Sequence, residues 1–266
     1  MVRVLVLRAA GINCDCETEY AFENAGAKAD RVHVNRLLED KKRLHDYHIL
    51  VFPGGFSYGD DIAAGKILAN QIRSHLLDDI RAFVGESKLV IGICNGFQVL
   101  VKCGLLPGLE NGSSRQNVTL GSNDSNKYED RWVNLKICSG KSEFIKGSGT
   151  IYLPVAHAEG KFLADSEDTL RRLSQDNRVV LRYVDEHGHP AGYPYNPNGS
   201  ADDIAAICDG TGRILGMMPH PERFIRPESH PRWTREGAAK KGDGCALFEN
   251  AVNYVRRTFG SATDDT

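Results

Sequence analysis

Short apolar runs alternate along this chain with stretches in which apolar residues recur every three or four positions. The runs at 2–7, 48–52 and 89–93 are rich in β-branched residues and predict buried strands. Between them, the spacing predicts helices over 16–24 and 65–83. Strands that alternate with helices in this way are typical of an open, mostly parallel sheet with helices on both faces. We therefore expect an α/β fold.

The second half of the chain is richer in strands and turns. Its pattern predicts strands at 132–137, 150–153, 179–183, 204–207 and 214–218, and a final helix at 244–256. In the first half, the pattern also predicts a short strand at 31–34 and a helix at 95–103. The strands of the second half indicate β elements beyond the alternating unit. We expect one domain over 1–259 and a polar tail over 260–266.

Composition narrows the classes of partner. The 266 residues are 41% hydrophobic and carry a formal net charge of -2, so the chain can bury a large core and has no basic excess. We therefore expect no nucleic-acid partner. No segment has the length or pattern of a membrane span or a signal peptide, so we expect a cytoplasmic protein without a membrane partner.

The cysteines indicate free thiols. There are seven of them, Cys14 and Cys16 form the only close pair, and no Cys-x-x-Cys motif occurs. This pattern suggests neither a disulfide framework nor a zinc site, and we predict no metal. Four cysteines are predicted to be buried packing residues: Cys103, Cys138, Cys208 and Cys245.

Cys94 lies where a predicted strand meets a predicted helix. Gly92 and Gly96 flank it at two residues on either side, and glycines let strand and helix backbones approach closely around a sharp turn. The helix N-terminus favours a thiolate there, and the Asn95 amide could help to stabilise an oxyanion. A cysteine can equally be a small buried apolar residue. This motif alone leaves both interpretations open.

Another strand end supplies a candidate base. His220 and Glu222 follow the strand at 214–218, and Pro219 and Pro221 favour an extended segment. Residues two apart in an extended segment point the same way, so the carboxylate could orient an imidazole that takes the thiol proton. A structural histidine and a surface salt bridge are the alternatives.

These motifs resemble those of class I glutamine amidotransferases. The shared segments are Phe-Pro-Gly-Gly at 52–55, Gly-Ile-Cys-Asn-Gly-Phe-Gln at 92–98 and Met-Pro-His-Pro-Glu-Arg at 218–223. Further segments at 13–15, 54–60, 155–162 and 193–200 are similar to the glutaminase-subunit family of phosphoribosylformylglycinamidine synthase. The resemblance covers nearly the whole chain. It implies a single-domain amidotransferase fold with a flavodoxin-like open sheet and extra β elements.

The resemblance also implies residue roles. Cys94 would attack the glutamine amide to form a thioester, with His220 as base and Glu222 as its partner. The remaining roles are oxyanion donors at the Gly55 and Asn95 amides, glutamine contacts at Gly54 and Gln98, and further glutamine contacts from the loop 123–129.

The family resemblance implies partners as well. The ammonia would pass to a synthetase subunit that holds ATP and Mg, with a small bridging subunit, for the conversion of formylglycinamide ribonucleotide (FGAR) to formylglycinamidine ribonucleotide (FGAM). No cofactor is expected in this chain, which has no phosphate-binding loop motif. The alternatives are an amidotransferase for another acceptor or a free-standing γ-glutamyl hydrolase. A regulatory module is disfavoured because all three triad residues are present.

Three features stay open. His157 lies in a His-Ala-Glu-Gly segment where relatives commonly have His-Gly-Glu-Gly, and a structural or docking role is favoured over chemistry. Asp60 and Asp61 are interpreted as caps of a turn and helix in preference to a metal pair. The segment 223–243 contains basic residues beside Trp233, and we hypothesise that it borders the site and docks the synthetase, a solvated insertion being the alternative.

Overall fold

The structure is a computed structural model that describes residues 1–109, 116–138, 141–236 and 240–260. Its strands are β1 (Arg3–Arg8), β2 (Lys28–His33), β3 (Ile49–Phe52), β4 (Leu89–Ile93), β5 (Val118–Ser122), β6 (Glu129–Ile137), β7 (Thr150–His157), β8 (Glu159–Ala164), β9 (Val179–Val184), β10 (Ile204–Cys208) and β11 (Ile214–Met217). Its helices are α1 (Asp15–Asn24), α2 (Val34–Glu39), α3 (Lys66–His75), α4 (Leu77–Gly85), α5 (Asn95–Lys102), α6 (Glu167–Gln175), α7 (Trp233–Glu236) and α8 (Cys245–Phe259).

Most strands of the described segments form one sheet, in the order β2-β1-β3-β4-β11-β10-β9-β6-β7. The first five strands in this order are parallel, and they follow the flavodoxin-like strand order with β11 in fifth place. The next four strands continue the sheet in antiparallel pairs, while β5 and β8 pair with each other separately. The predicted α/β fold with extra β elements is confirmed.

The parallel strands lie in the middle of the core. Every residue of β3 and β4 is buried, as expected for strands covered on both faces. The loop after β1 reaches the end of β3 through a bridge between Ile12 and Gly55 and a bond from Cys14 N–H to Gly54 O of 3.2 Å. The carboxyl ends of β1, β3, β4 and β11 therefore meet at one edge of the sheet.

The helix predicted over 65–83 is two helices. Leu76 separates α3 from α4 with φ of -127° and ψ of -4°, outside the helical range. Apolar residues keep the three- and four-residue spacing across this joint, and Leu76 itself is fully buried. A break that leaves the apolar face continuous cannot be recognised from periodicity.

Cys138 is exposed, so the prediction that it is a buried packing residue was wrong. Side chains alternate between the two faces along β6, where Val133 and Leu135 are buried and Lys136 is exposed. Cys138 continues the exposed set beyond the strand. Cys103, Cys208 and Cys245 are buried, as predicted.

The C-terminal helix α8 ends at Phe259. Apart from Gly260, the predicted tail 260–266 lies outside the described residues, and the domain extent 1–259 stays a prediction. Among the described helices, none combines the length and apolar character that a bilayer span requires.

Candidate active site

Cys94 lies on a strained turn between β4 and α5. Its φ of 52° and ψ of -107° fall in a region that residues with a side chain rarely adopt. The backbone is held there because Cys94 N–H donates to Met217 O of β11 over 2.7 Å. The thiol is buried and donates to Ala156 O of β7 over 3.6 Å. Backbone strain at this position follows the pattern of a nucleophile.

The flanking glycines are required by close backbone approach. A Cβ atom on Gly96 would lie 1.9 Å from Phe52 O, and one on Gly92 would lie 2.5 Å from Gly96 O. Such contacts are far shorter than van der Waals distances, so helix α5 could not pack against β3 and β4 with larger residues. The packing of three elements thus sets the position of Cys94.

His220 and Glu222 form a buried pair. His220 Nδ1 donates to Glu222 Oε1 over 2.6 Å, and both side chains are almost fully inaccessible. His220 N–H is anchored on Pro154 O of β7 over 2.8 Å. The predicted extended segment was wrong, because Pro221–Arg223 form a 3-10 turn. The turn nevertheless brings the carboxylate to the imidazole.

The charge of His220 depends on its neighbours. Burial disfavours a charged imidazole, but the Glu222 carboxylate and a Cys94 thiolate outweigh it and raise the pKa of His220 well above its ordinary value. An imidazolium beside a thiolate is the arrangement that activates cysteine nucleophiles. His220 Nε2 has no hydrogen-bond partner among the described residues.

The glycine pair after β3 approaches the same place. A Cβ atom on Gly54 would lie 2.7 Å from His220 Cε1, so this glycine makes room for the imidazole. Gly55 has φ of +143°, and a Cβ atom there would lie 2.7 Å from Asn13 N. Gly55 lines the cavity beside Cys94, whereas Gly54 does not.

A cavity of about 200 Å³ adjoins the thiol. Its walls are formed by Gly55, Phe56, Asp60, Ala64, Cys94, Gln98, Ala156, His157, Ala158 and Glu159. A larger cleft of about 480 Å³ lies over β6 beside Trp132, but it contains neither Cys94 nor His220. The smaller cavity is therefore the candidate substrate site.

Comparison with known proteins agrees with this geometry. The family model of the CobB/CobQ-like glutamine amidotransferase domain matches residues 1–255. Phosphoribosylformylglycinamidine synthase subunit PurQ of Dehalococcoides mccartyi is 47% identical, with 96% of this chain and 98% of the relative covered. The PurQ subunit of Archaeoglobus fulgidus is 42% identical, with 96% and 98% covered. The chain belongs to the PurQ group of these glutamine amidotransferases.

Solved structures of amidotransferases show the same fold. The structure of PurLQS from Thermotoga maritima matches with a TM-score of 0.72 and 30% identity, covering 96% of this chain and 99% of that chain. A glutamine amidotransferase from Thermotoga maritima matches at 16% identity with a TM-score of 0.51, covering 98% of this chain and 99% of that chain. The second likeness shows the fold alone.

The sequence did not predict the position of Cys14 in this amidotransferase. Its Sγ atom lies 4.0 Å from His220 Nδ1 and accepts from Arg223 Nη2 over 3.1 Å. The atoms of Cys14, His220 and Glu222 that could ligate a metal ion lie within 4.8 Å of one another. The Arg223 guanidinium beside the sulfur opposes binding of a metal cation, and the imidazole nitrogen is already bonded to Glu222. The signal available in the sequence was the position of Cys14 after β1.

Two aromatic rings lie near the thiol. Phe56 and Tyr128 lie with ring centroids 6.3 Å apart. Burial, followed by the charge of nearby Cys94, raises the pKa of Tyr128 above its ordinary value. Tyr128 of the loop 123–129 is therefore near enough to sense the thiol, whereas the glutamine contacts of this loop remain a prediction.

The Asn95 side chain links several predicted site residues. Its Nδ2 donates to Asp60 Oδ1 and to Gln98 Oε1, each over 3.0 Å. Asp60 Oδ1 also accepts from the N–H of Gly65, the residue before α3, over 3.1 Å. This bond closes the turn 60–65, whereas capping of the helix by Asp60 and Asp61 stays a prediction. Burial raises the pKa of Asp60 above its ordinary value. The network holds the first turn of α5 against the cavity wall.

Proposed function

We propose that this chain is the glutaminase subunit of a phosphoribosylformylglycinamidine synthase. It hydrolyses L-glutamine to glutamate and ammonia, which a synthetase partner uses with ATP to convert FGAR to FGAM. The supporting observation is the strained Cys94 beside the buried His220–Glu222 pair and a cavity of about 200 Å³. The acceptor is inferred from PurQ relatives that match nearly the whole chain.

The first half-reaction breaks the amide bond. Cys94 Sγ attacks the carboxamide carbon of glutamine, and the tetrahedral adduct collapses to a γ-glutamyl thioester as the carbon–nitrogen bond breaks. His220 delivers the proton that came from the thiol to the departing nitrogen, which leaves as ammonia. Glu222 keeps the imidazole oriented and stabilises its charged form.

Two backbone amides are our candidates for stabilising the tetrahedral adduct. Asn95 is the first residue of α5, where a backbone N–H has no acceptor within the helix. Gly55 lines the cavity beside the thiol. We assign both amides to the oxyanion, and Gly54 and Gln98 to the shape and polar contacts of the glutamine site. Loss of one such donor typically costs about 10²- to 10³-fold in rate.

The second half-reaction releases glutamate. A water molecule attacks the thioester while His220 takes one of its protons, and the thiolate departs as the carbon–sulfur bond breaks. The chain's own groups suffice for both half-reactions. We expect ATP and Mg on the synthetase partner, together with a small bridging subunit. All seven cysteines are free, which supports a reducing compartment, and we place the chain in the cytoplasm.

Glutamine hydrolysis by the wild type and Cys94→Ala tests the proposal. We expect the substitution to lower the rate by at least about 10³-fold, because the thioester cannot form. The matched control is Cys138→Ala, which removes an exposed thiol and retains activity. Assays are run alone and with the synthetase and bridging subunits, ATP, Mg and FGAR.

The outcomes separate the alternatives. Hydrolysis that rises with the complete FGAM synthase system supports the proposed acceptor. Hydrolysis that never responds to this system indicates another acceptor or a free-standing hydrolase. Activity that persists in Cys94→Ala overturns the assignment of the nucleophile.

A further inference from the structure

His157 is a buried residue at the cavity that the two half-reactions leave without a role. It ends β7, directly after Ala156, whose carbonyl accepts the Cys94 thiol. His157 lines the cavity with Cys94, and only 3% of it is exposed. Its Nε2 atom is inaccessible to solvent and has no hydrogen-bond partner within the described parts of the chain. Such an atom is costly unless a ligand satisfies it.

Asn123 determines which imidazole nitrogen carries the proton. Asn123 Nδ2 donates to two carbonyls, Lys127 O over 2.9 Å and His157 O over 2.8 Å. Its Oδ1 is therefore an acceptor, which receives Gly160 N–H over 3.2 Å and lies 3.1 Å from His157 Nδ1. The proton of the neutral ring is thus on Nδ1. His157 Nε2 is left with a lone pair.

Packing holds the imidazole in place. A Cβ atom on Gly160 would lie 2.4 Å from His157 Nδ1 and Cε1, so the ring packs directly on the glycine backbone. Together with the Asn123 bond, this contact restricts rotation of the ring. The imidazole therefore has a defined position beside the cavity.

The ring is neutral throughout the physiological range. Burial, reinforced by the charge of nearby His220, lowers the pKa of His157 to about 3. A group with this pKa cannot supply a proton to a leaving group near neutral pH. It can accept a hydrogen bond.

The only hydrogen-bond donors of the glutamine carboxamide are the N–H groups of its nitrogen. Its oxygen is assigned to the Gly55 and Asn95 amides, and its nitrogen carries two N–H groups. Because Nε2 is closed to water in the free chain, we propose that glutamine opens this contact as it binds, and that His157 Nε2 then accepts a hydrogen bond from the nitrogen that glutamine loses, first as the carboxamide and then as ammonia. This inference rests on the proposed glutaminase reaction. It makes His157 a substrate contact that favours an amide over a carboxylate, which has no N–H to donate.

The proton balance of the reaction is unchanged. Ammonia keeps the two hydrogens of the carboxamide and receives its third from the thiol through His220. His157 neither gains nor loses a proton. Its contribution is to orient the nitrogen for protonation by His220 and to hold the ammonia after the carbon–nitrogen bond breaks.

Two substitutions of matched shape test the proposal. Gln and Met are similar in length and volume, but only Gln offers a strong acceptor near the position of Nε2. We expect His157→Met to lower kcat/KM for glutamine roughly three- to tenfold, and His157→Gln to recover most of the loss. Both variants disturb packing on Gly160 alike, so a difference between them reports the acceptor.

A second reagent separates this role from recognition of the amino-acid end. A chloroketone analogue of glutamine alkylates Cys94 and contains no amide nitrogen. We expect the two variants and the wild type to be alkylated with similar second-order rate constants. Equal losses in both variants with glutamine, or an equally large loss with the chloroketone, would overturn the proposal. A wild type that does not hydrolyse glutamine under any condition would instead overturn the proposed function.

Discussion

In the proposed reaction, the Glu222 carboxylate sets the reactivity of Cys94 through His220. It helps to raise the pKa of His220, so the imidazolium persists above pH 6.5 and is lost only as pH rises through the raised pKa. In Glu222→Gln this charge is gone, and the pKa of His220 falls. We expect alkylation of Cys94 by chloroacetamide at pH 7 to slow by roughly tenfold or more, since less thiolate is stabilised.

A pH series of alkylation rates checks this prediction. The difference between Glu222→Gln and the wild type should be large near neutrality and should narrow above roughly pH 9, where ordinary thiols ionise unaided. Far-ultraviolet circular dichroism establishes that the variant is folded. Superimposable rate profiles would show that Glu222 does not set the charge of His220.

Residues whose roles depend on local spacing could be predicted from the sequence. Cys94 was identified by glycines two positions away, and His220 and Glu222 by prolines around them. Cys14 could not be placed in this way, because it meets His220 across 206 positions of sequence. For His157 the sequence favoured a structural or docking role, and its contact with Asn123, 34 positions away, could not be predicted. Long-range partners are not encoded in any short motif.

At the scale of elements, helix α5 can approach the sheet closely because Gly96 has no side chain. In Gly96→Ala the new Cβ would lie 1.9 Å from Phe52 O, so α5 must move away from the end of β3. We expect this substitution to lower the free energy of unfolding by about 1–3 kcal/mol and to displace Cys94, which lowers glutaminase activity. Urea unfolding and the glutamine assay measure the two effects.

Gly85 provides the control. It lies in α4, and a Cβ atom there would meet nothing within 4 Å. We expect Gly85→Ala to leave activity unchanged and to raise the free energy of unfolding by up to about 1 kcal/mol, because alanine has the higher helix propensity. Equal stability effects at the two positions would mean that close packing of α5 is not the reason for Gly96.

The sequence predicted elements better than it predicted their joints. The run 89–93 is a strand with those bounds, since its apolar residues are buried on both faces. The break at Leu76 and the 3-10 turn at Pro221–Arg223 were not predicted. Both depend on how the following segment packs, which periodicity and proline positions do not specify. The ends of β3, β4 and β11 meet because the order of the parallel strands makes them neighbours.

At the scale of the whole molecule, the segment after the triad lies across the antiparallel half of the sheet. Its His230 ring lies 5.6 Å from the rings of Trp132 and Phe224, which attaches the segment to β6 and to the end of the triad turn. Trp233 follows in α7 and is 44% exposed. An exposed tryptophan on an anchored segment that follows the His220–Glu222 turn supports our hypothesis that this region docks the synthetase.

Trp233→Ala tests this docking hypothesis. Truncating an aromatic residue in the centre of an interface often weakens binding by tenfold or more, so we expect roughly that loss in affinity for the synthetase. Alkylation of Cys94 by the chloroketone in the isolated chain should stay unchanged. The matched control is Phe259→Ala, which removes another exposed ring. Phe259 lies 5.3 Å from the ring of His48, which precedes β3, so it is at the opposite edge of the sheet. Titration of the synthetase in the FGAM assay gives both affinities, and equal values for Trp233→Ala and the wild type would place the partner elsewhere.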